Sequence, residues 1–204
     1  MSDPLVLTYA EVGFLLATRP EVTDRIRTQI HLPADADERD VRSGVASLLA
    51  RGLCRVDEPG VVPGDEVAAV IAALCTCTVR MSAVGWSGPK VSMWHVFGGP
   101  NACAALVPQQ YGQFAVTLLD PVAPIETIAV RMLEATVGTP ESGLVVRLTR
   151  GEQTSGAAIA VDETGTWYVT DTATNPNRGV PVSRQEAVER LTIVVGPALI
   201  GAAA

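Results

Sequence analysis

The chain has little of the chemistry from which catalytic and metal sites are usually built. Its 204 residues include two histidines, His31 and His95, leaving few groups for proton transfer near neutral pH and few of the common zinc ligands. Lysine is scarcer still, with Lys90 standing alone beside fourteen arginines, and the formal net charge is −7 with a pI near 4.8. Binding to phosphate backbones needs concentrated positive surface that releases counterions, so this balance argues against nucleic acid as a main partner. A run of arginines near the start (Arg25, Arg27, Arg39, Arg42, Arg51 and Arg55) does not reverse it, because residues 1–62 hold ten carboxylates against seven arginines. No apolar run approaches the roughly 18 residues a membrane span needs. Met1 to Leu7 also lacks the basic and apolar regions of a signal peptide. The expectation is a cytoplasmic protein without a membrane partner.

The motif search returns further absences. There is no GxSxG, HExxH, Walker-type or GxGxxG sequence, and Gly98–Gly99 does not lie between a strand and a helix as a phosphate cradle requires. Cys75 and Cys77 would point the same way from a strand, and with Cys103 or His95 they would offer zinc three or four ligands. A lone CxC beside apolar residues lacks the second ligand pair of a zinc knuckle, so core packing is the expected role. With no export signal, Cys54, Cys75, Cys77 and Cys103 are expected as reduced thiols. His95, between Trp94 and Val96, reads as a strand histidine. Asp120, Asp162, Glu163 and Asp171 sit where strands end and are expected to bond local backbone groups in turns. No catalytic residue, cofactor or metal is assigned, and the expectation is a protein that is not an enzyme.

What is present is core-forming material, 48% hydrophobic against 18% charged, enough for one large or two small domains. Thr8 and Glu11 have capping-box spacing and open a helix over about 9–18, which Pro20 ends. A second helix spans about 21–30. A third carries Asp37, Glu38 and Asp40 in its first turn and ends at Gly52. Leu53 to Val56 reads as a short strand, 57–64 as a turn-rich joint, and Asp65 and Glu66 open a fourth helix. From Thr76 the apolar period falls from 3.6 towards 2, giving strands near 77–86, 91–97, 102–107 and 113–119, then a helix over about 124–137. Strands near 143–150, 155–162 and 166–171 follow. Beyond them lie a polar loop over 175–179, a helix capped by Ser183 with Glu186, and a frayed tail at 201–204.

These elements imply an α+β protein. A helical, winged-helix-like segment over 1–75 precedes a duplicated region over 76–204, in which strands then a helix occur twice. Both parts are expected in one compact domain, with one continuous antiparallel sheet and helices on one face. The first segment also fits a winged-helix DNA-binding regulator, with Arg39 and Arg42 on the reading helix. Asp37, Glu38 and Asp40 on that same helix weigh against it.

Taken in order, the segments resemble the EspG family of type VII (ESX) secretion chaperones. The residues that carry the resemblance are the opening helix with Leu5 to Leu16, the Leu-x-x-Arg-Gly-Leu stretch at Leu48 to Leu53, and the strand-like Val79 to Val84 and Ala104 to Val107. Phe114 to Leu119 and the approach to the last helix, Thr170 to Ser183, complete them. Family members that serve PE/PPE substrates are typically longer. The resemblance implies a non-catalytic cytosolic adaptor that holds the hydrophobic tip of a PE/PPE-type helical partner for secretion. The residues themselves agree with a binding role: Trp86, Ser87, Gly88, Pro89, Lys90 and Val91 read as an inter-strand loop with one aromatic anchor and one cation. Trp94, Trp167 and Tyr168 would extend that surface, although Trp94 and Trp167 suit sheet core better than interface, since large aromatics in strands usually pack inward. Homo-oligomerisation is left open by the sequence.

Overall fold

The computed structural model describes residues 5–33, 38–58, 60–171 and 179–196. Among them the chain runs β1 (Leu5–Thr8), α1 (Tyr9–Ala17), α2 (Pro20–Gln29), α3 (Glu38–Ala50), β2 (Cys54–Asp57), β3 (Gly60–Pro63) and α4 (Asp65–Cys75). It continues through β4 (Val79–Ser87), β5 (Lys90–Gly98), β6 (Cys103–Gln109), β7 (Gln113–Leu119) and α5 (Ile125–Thr136). The last elements are β8 (Ser142–Arg150), β9 (Gln153–Val161), β10 (Trp167–Asp171), β11 (Val180–Val182) and α6 (Arg184–Val195). The fold is α+β. Nine strands make one antiparallel sheet in the order β1-β7-β6-β5-β4-β8-β9-β10-β11, and β2 with β3 makes a separate ribbon.

By contact density the chain divides into two compact units that interleave along the sequence: Met1–Thr78 with His95–Pro121, and Val79–Trp94 with Val122–Ala204. In the first unit, Thr8 caps α1 as its spacing implies. The Glu11 amide donates to Thr8 Oγ1 at 3.2 Å and the Thr8 amide to Glu11 Oε2 at 2.7 Å. α1 packs closely on α3 because Gly44 has no side chain; a Cβ there would lie 2.1 Å from the Ala10 carbonyl oxygen. Leu15, Leu16, Ile26, Leu48 and Leu74 from the helices meet Phe97, Leu106 and Phe114 from the strands in one apolar cluster. Burying each such side chain stabilises by about 1.5–3 kcal/mol, which is why helices of middling propensity hold here.

In the second unit, α5 rests on β4 and β8, α6 on β9 and β10, and the two helices touch. Met81, Ala83, Leu144, Val146, Leu148 and Ile159 alternate inward along their strands and meet Ala129, Leu133, Leu191 and Val195. Ser183 accepts from the Glu186 amide at 3.1 Å and starts α6. The Glu186 side chain pairs with Arg190 at 2.6 Å.

Three strands escape a reading of local pattern. β1 is four residues long and runs straight into α1. β3 occupies what reads as a turn-rich joint, and takes strand form because each of its residues pairs across to β2, from Cys54 opposite Pro63 to Asp57 opposite Gly60. β11 has three residues, one of them Pro181, and is a strand only through its pairing with β10. Asp37, residues 175–178 of the expected polar loop and the tail at 201–204 lie outside the described residues.

Candidate partner-binding site

The residues expected as a loop form a tight hairpin instead. β4 runs through Trp86 to Ser87 and β5 starts at Lys90, so only Gly88 and Pro89 make the turn. The physical reason is Gly88, whose φ of +56° is open to glycine at no steric cost and lets a two-residue turn match the twist of its strands. Gly88, Pro89, Lys90 and Val91 are exposed, Val91 to 69%, while Trp86, Ser87 and Trp94 are half-buried. The tip is tied down from the side: the Gly88 amide donates to the Glu141 carbonyl at 3.3 Å, and the Ser87 and Thr139 hydroxyls lie 3.2 Å apart.

The two tryptophans of the hairpin do not share a surface. Trp86 lies opposite Gly143 in the β4–β8 register, and its indole spreads over that glycine, where a Cβ would come within 2.1 Å of the ring. Trp94 lies over Gly85, at 3.1 Å from where a Cβ would stand and beside Thr136 of α5. Gly85 and Trp86 are consecutive in a strand and point to opposite faces, so Trp94 belongs to the helix-packed face and Trp86 to the other. Trp167, opposite Val161, points with the helix-packed residues, whereas Tyr168 is opposite Ala160 on the Trp86 face. One row of that face thus reads Trp86, Gly143, Ala160, Tyr168 across four strands. The next row reads Val84, Val145, Ala158, Thr170. Val84, Val145, Ala158 and Ala160 were not singled out by sequence. The available signal was the run of small residues in β9, at positions that alternate with buried Ala157 and Ile159.

Other candidate chemistry resolves into structural roles. His95 is 1% exposed on β5, with the His31 ring 6.0 Å away. Burial, then the charge of His31, pushes its pKa down to about 4. Cys75 ends α4 and Cys77 follows in the connection to β4, so the two do not sit on one strand, because β4 starts only at Val79 rather than at Cys77. All four cysteines are free thiols, and among the described residues no three His, Cys, Asp or Glu side chains converge as a metal site would. Asp162 does what a turn aspartate does: Oδ1 accepts from the Thr164 amide at 2.8 Å and the Thr166 amide at 3.0 Å. The Thr164 hydroxyl, these amides and Tyr168 together hold its carboxyl below the usual range.

Among the described residues Glu11 is the one fully buried carboxylate with a full set of donors: Ser47 Oγ at 2.8 Å, Arg51 Nη1 at 2.8 and 2.9 Å, and the Thr8 amide. Burial pushes its pKa up, but these bonds outweigh it and hold the group ionised below the ordinary carboxylate range. Arg51 also donates to the Val6 carbonyl at 2.8 Å, closing part of the outer edge of β1. A cavity of about 390 Å³ lies beside the end of α6, and two of its polar side chains are engaged with the helix terminus. Arg150 donates to the Val195 and Gly196 carbonyls at 2.7 Å, and Ser155 to that of Val194 at 2.9 Å.

The β2–β3 ribbon follows α3 as a wing follows a reading helix. On the exposed side of α3, however, Arg42 is paired with Glu38 at 2.5 Å, and the ribbon exposes Val56 to 75% with Arg55 beside Asp57. Among the described residues there, Arg42 and Arg55 thus each stand beside a carboxylate.

No protein-family model matches the sequence, and no curated protein is similar to it. The fold is that of an EspG-type secretion chaperone, and among the described residues of this chain it comprises a nine-stranded antiparallel sheet and six helices. One similar solved structure is that of the Mycobacterium tuberculosis type VII secretion system chaperone EspG5 in complex with a PE25-PPE41 dimer. The likeness covers 94% of this chain and 95% of that one, with a TM-score of 0.60 at 10% identity. At that identity what is shared is the fold. The described residues contain no helix long and apolar enough to cross a membrane.

Proposed function

We propose that this chain is a non-catalytic cytoplasmic adaptor that holds the apolar tip of a PE/PPE-type helical protein for type VII secretion. The observation that carries the reading is the β4–β5 hairpin. Its Trp86 ring is fixed over Gly143 yet half-exposed, and the apolar Val91 stands open beside it, an arrangement of rigid aromatic anchor and apolar neighbour that suits a binding hot spot. The chaperone of like fold is solved with a PE25-PPE41 dimer, which sets the class of partner to look for. No covalent step is involved. Holding an apolar helical tip keeps it from aggregating, and release leaves both proteins unchanged.

The test is co-purification of the tagged chain from its native lysate, with the captured proteins identified by mass spectrometry, in wild type and Trp86→Ala. A PE/PPE-type helical protein is expected, with its affinity falling by at least about tenfold in the variant while unfolding stays cooperative. Capture of a partner with unchanged affinity for Trp86→Ala would remove the hairpin from the reading, and capture of no helical protein would remove the function.

A further inference from the structure

We infer that the α5–β8 turn, Thr136 to Gly143, positions the partner-binding hairpin, and that Glu141 does so through a left-handed backbone rather than through its carboxylate. The inference rests on the adaptor reading above for what the hairpin does, and adds what holds it ready.

The hairpin needs holding because its tip outruns the sheet. β8 accompanies β4 as far as Ser142 opposite Ser87, and β6 accompanies β5 over His95–Gly98. Among the described residues, the Gly88–Pro89 turn and the stretch of β5 from Lys90 to Trp94 therefore have no paired strand on their outer side. A two-stranded ribbon is marginal in water by itself. If such a ribbon moves in the free protein, it must be ordered when the partner arrives, and that ordering is taken from the affinity.

The α5–β8 turn grips the end of β4 from both faces. On the helix-packed face Thr136, the last residue of α5, fills the place of a side chain at Gly85, where a Cβ would lie 2.5 Å from its Cγ2. On the other face Gly143 carries the Trp86 indole. Between these two holds, the Thr139 hydroxyl meets that of Ser87 at 3.2 Å, and the Glu141 carbonyl accepts from the Gly88 amide at 3.3 Å. The turn is braced from inside by Ser142, which is fully buried: its hydroxyl donates to the Thr139 carbonyl and accepts from the Gly138 amide at 3.2 Å. Glu141 itself stands at φ +59°, a region glutamate rarely adopts. Of the three non-glycine residues at positive φ among the described ones, it is the one in the second unit. Such a conformation persists where the surroundings over-determine it, and here the bonds of Ser142 stand on one side and the Gly88 amide on the other. The Glu141 side chain is exposed, so what the hairpin receives from this residue is the direction of its carbonyl.

The test compares Glu141→Val with Glu141→Gly in the full chain, since both remove the carboxylate but only glycine keeps positive φ open. Hydrogen exchange followed by NMR reads the hold on the hairpin without a partner. Glu141→Val is expected to speed exchange of the Gly88 amide at least about tenfold while the amides of the β8–β9 pairing keep their rates, and Glu141→Gly should match wild type. Affinity for the PE/PPE-type protein captured by the wild-type chain should fall about fivefold in Glu141→Val and hold in Glu141→Gly. At exposed Thr139, the valine variant should speed Gly88 exchange about threefold and the serine variant should restore it, which decides the matter if Glu141→Val fails to fold. Unaltered Gly88 exchange, equal effects of valine and glycine, or acceleration spread through β8 and β9 would each overturn the inference. Wild-type affinity of Glu141→Val for a protein captured through Trp86 would remove the positioning role and leave the adaptor reading standing. The valine-against-glycine contrast in exchange, with no helical protein captured, would leave the turn's hold on the hairpin and remove the adaptor function.

Discussion

The two units put their polar side chains to opposite uses. In the first, Glu11, Ser47, Arg51 and Thr8 bond to one another and to the Val6 carbonyl, so the polar chemistry is turned inward and fastens β1 and α1 to α3. In the second, Arg150 and Ser155 close the end of α6, and the other sheet face is left apolar and half-open between Trp86 and Tyr168. A buried, fully bonded network resists change because removing any member strands the rest without partners. An open face of small side chains tolerates change at little cost to folding. The first unit spends its polar groups on holding its own elements together, and the second leaves one sheet face half-open.

The largest effect should come from breaking the inward network. Glu11→Ala leaves the Thr8 amide, Ser47 and Arg51 without their acceptor and is expected to cost about 2–4 kcal/mol of stability, read from urea unfolding, with Arg51's partial exposure keeping it from more. A loss under about 1 kcal/mol would show that the network is not what fastens α1 to α3. Gly143→Val in the second unit should cost less, about 1–3 kcal/mol, since the new side chain must evict an indole that can swing into solvent. Tryptophan emission should shift to the red and partner binding should fall. Unchanged emission would mean that Trp86 is not held where Gly143 places it.

The smallest effect is a pH slope from His95. Its folded pKa of about 4 lies below the ordinary 6.5, so between those values the unfolded chain binds the proton more readily. Stability is therefore full above about 6.5 and is lost progressively as pH falls towards 4. Comparing urea midpoints near pH 5 and pH 7 stays above the range in which the Glu11 carboxylate begins to protonate. His95→Gln should flatten that difference, and an unaltered slope would place the proton uptake elsewhere.

Much of this was legible residue by residue. The capping box at Thr8 and Glu11, the acidic first turns of α3 and α4, and the glycine and proline breaks between strands each work within a few residues, and the helices fall where these signals put them. The strands that went unseen, β1, β3 and β11, are three or four residues long, too short to show a period and held only by neighbours distant in sequence or across a turn. The hairpin is tighter than its sequence reads, because the polar and turn-forming residues from Ser87 to Lys90 look like a loop, whereas Gly88 closes the turn in two residues.

What the sequence determined by itself is the α+β order and the capped helices. Those depend on local periodicity and on backbone preferences near one residue. Only the tertiary structure decided that Trp86 and Trp94 part company, that Tyr168 joins Trp86 across Gly143 and Ala160, and that Glu11 is a bonded interior anion rather than a surface charge. Those facts depend on register. A side chain's face is set by the strand it pairs with, and the residues that decide it lie up to 111 positions away in the chain, as Val116 does from Leu5.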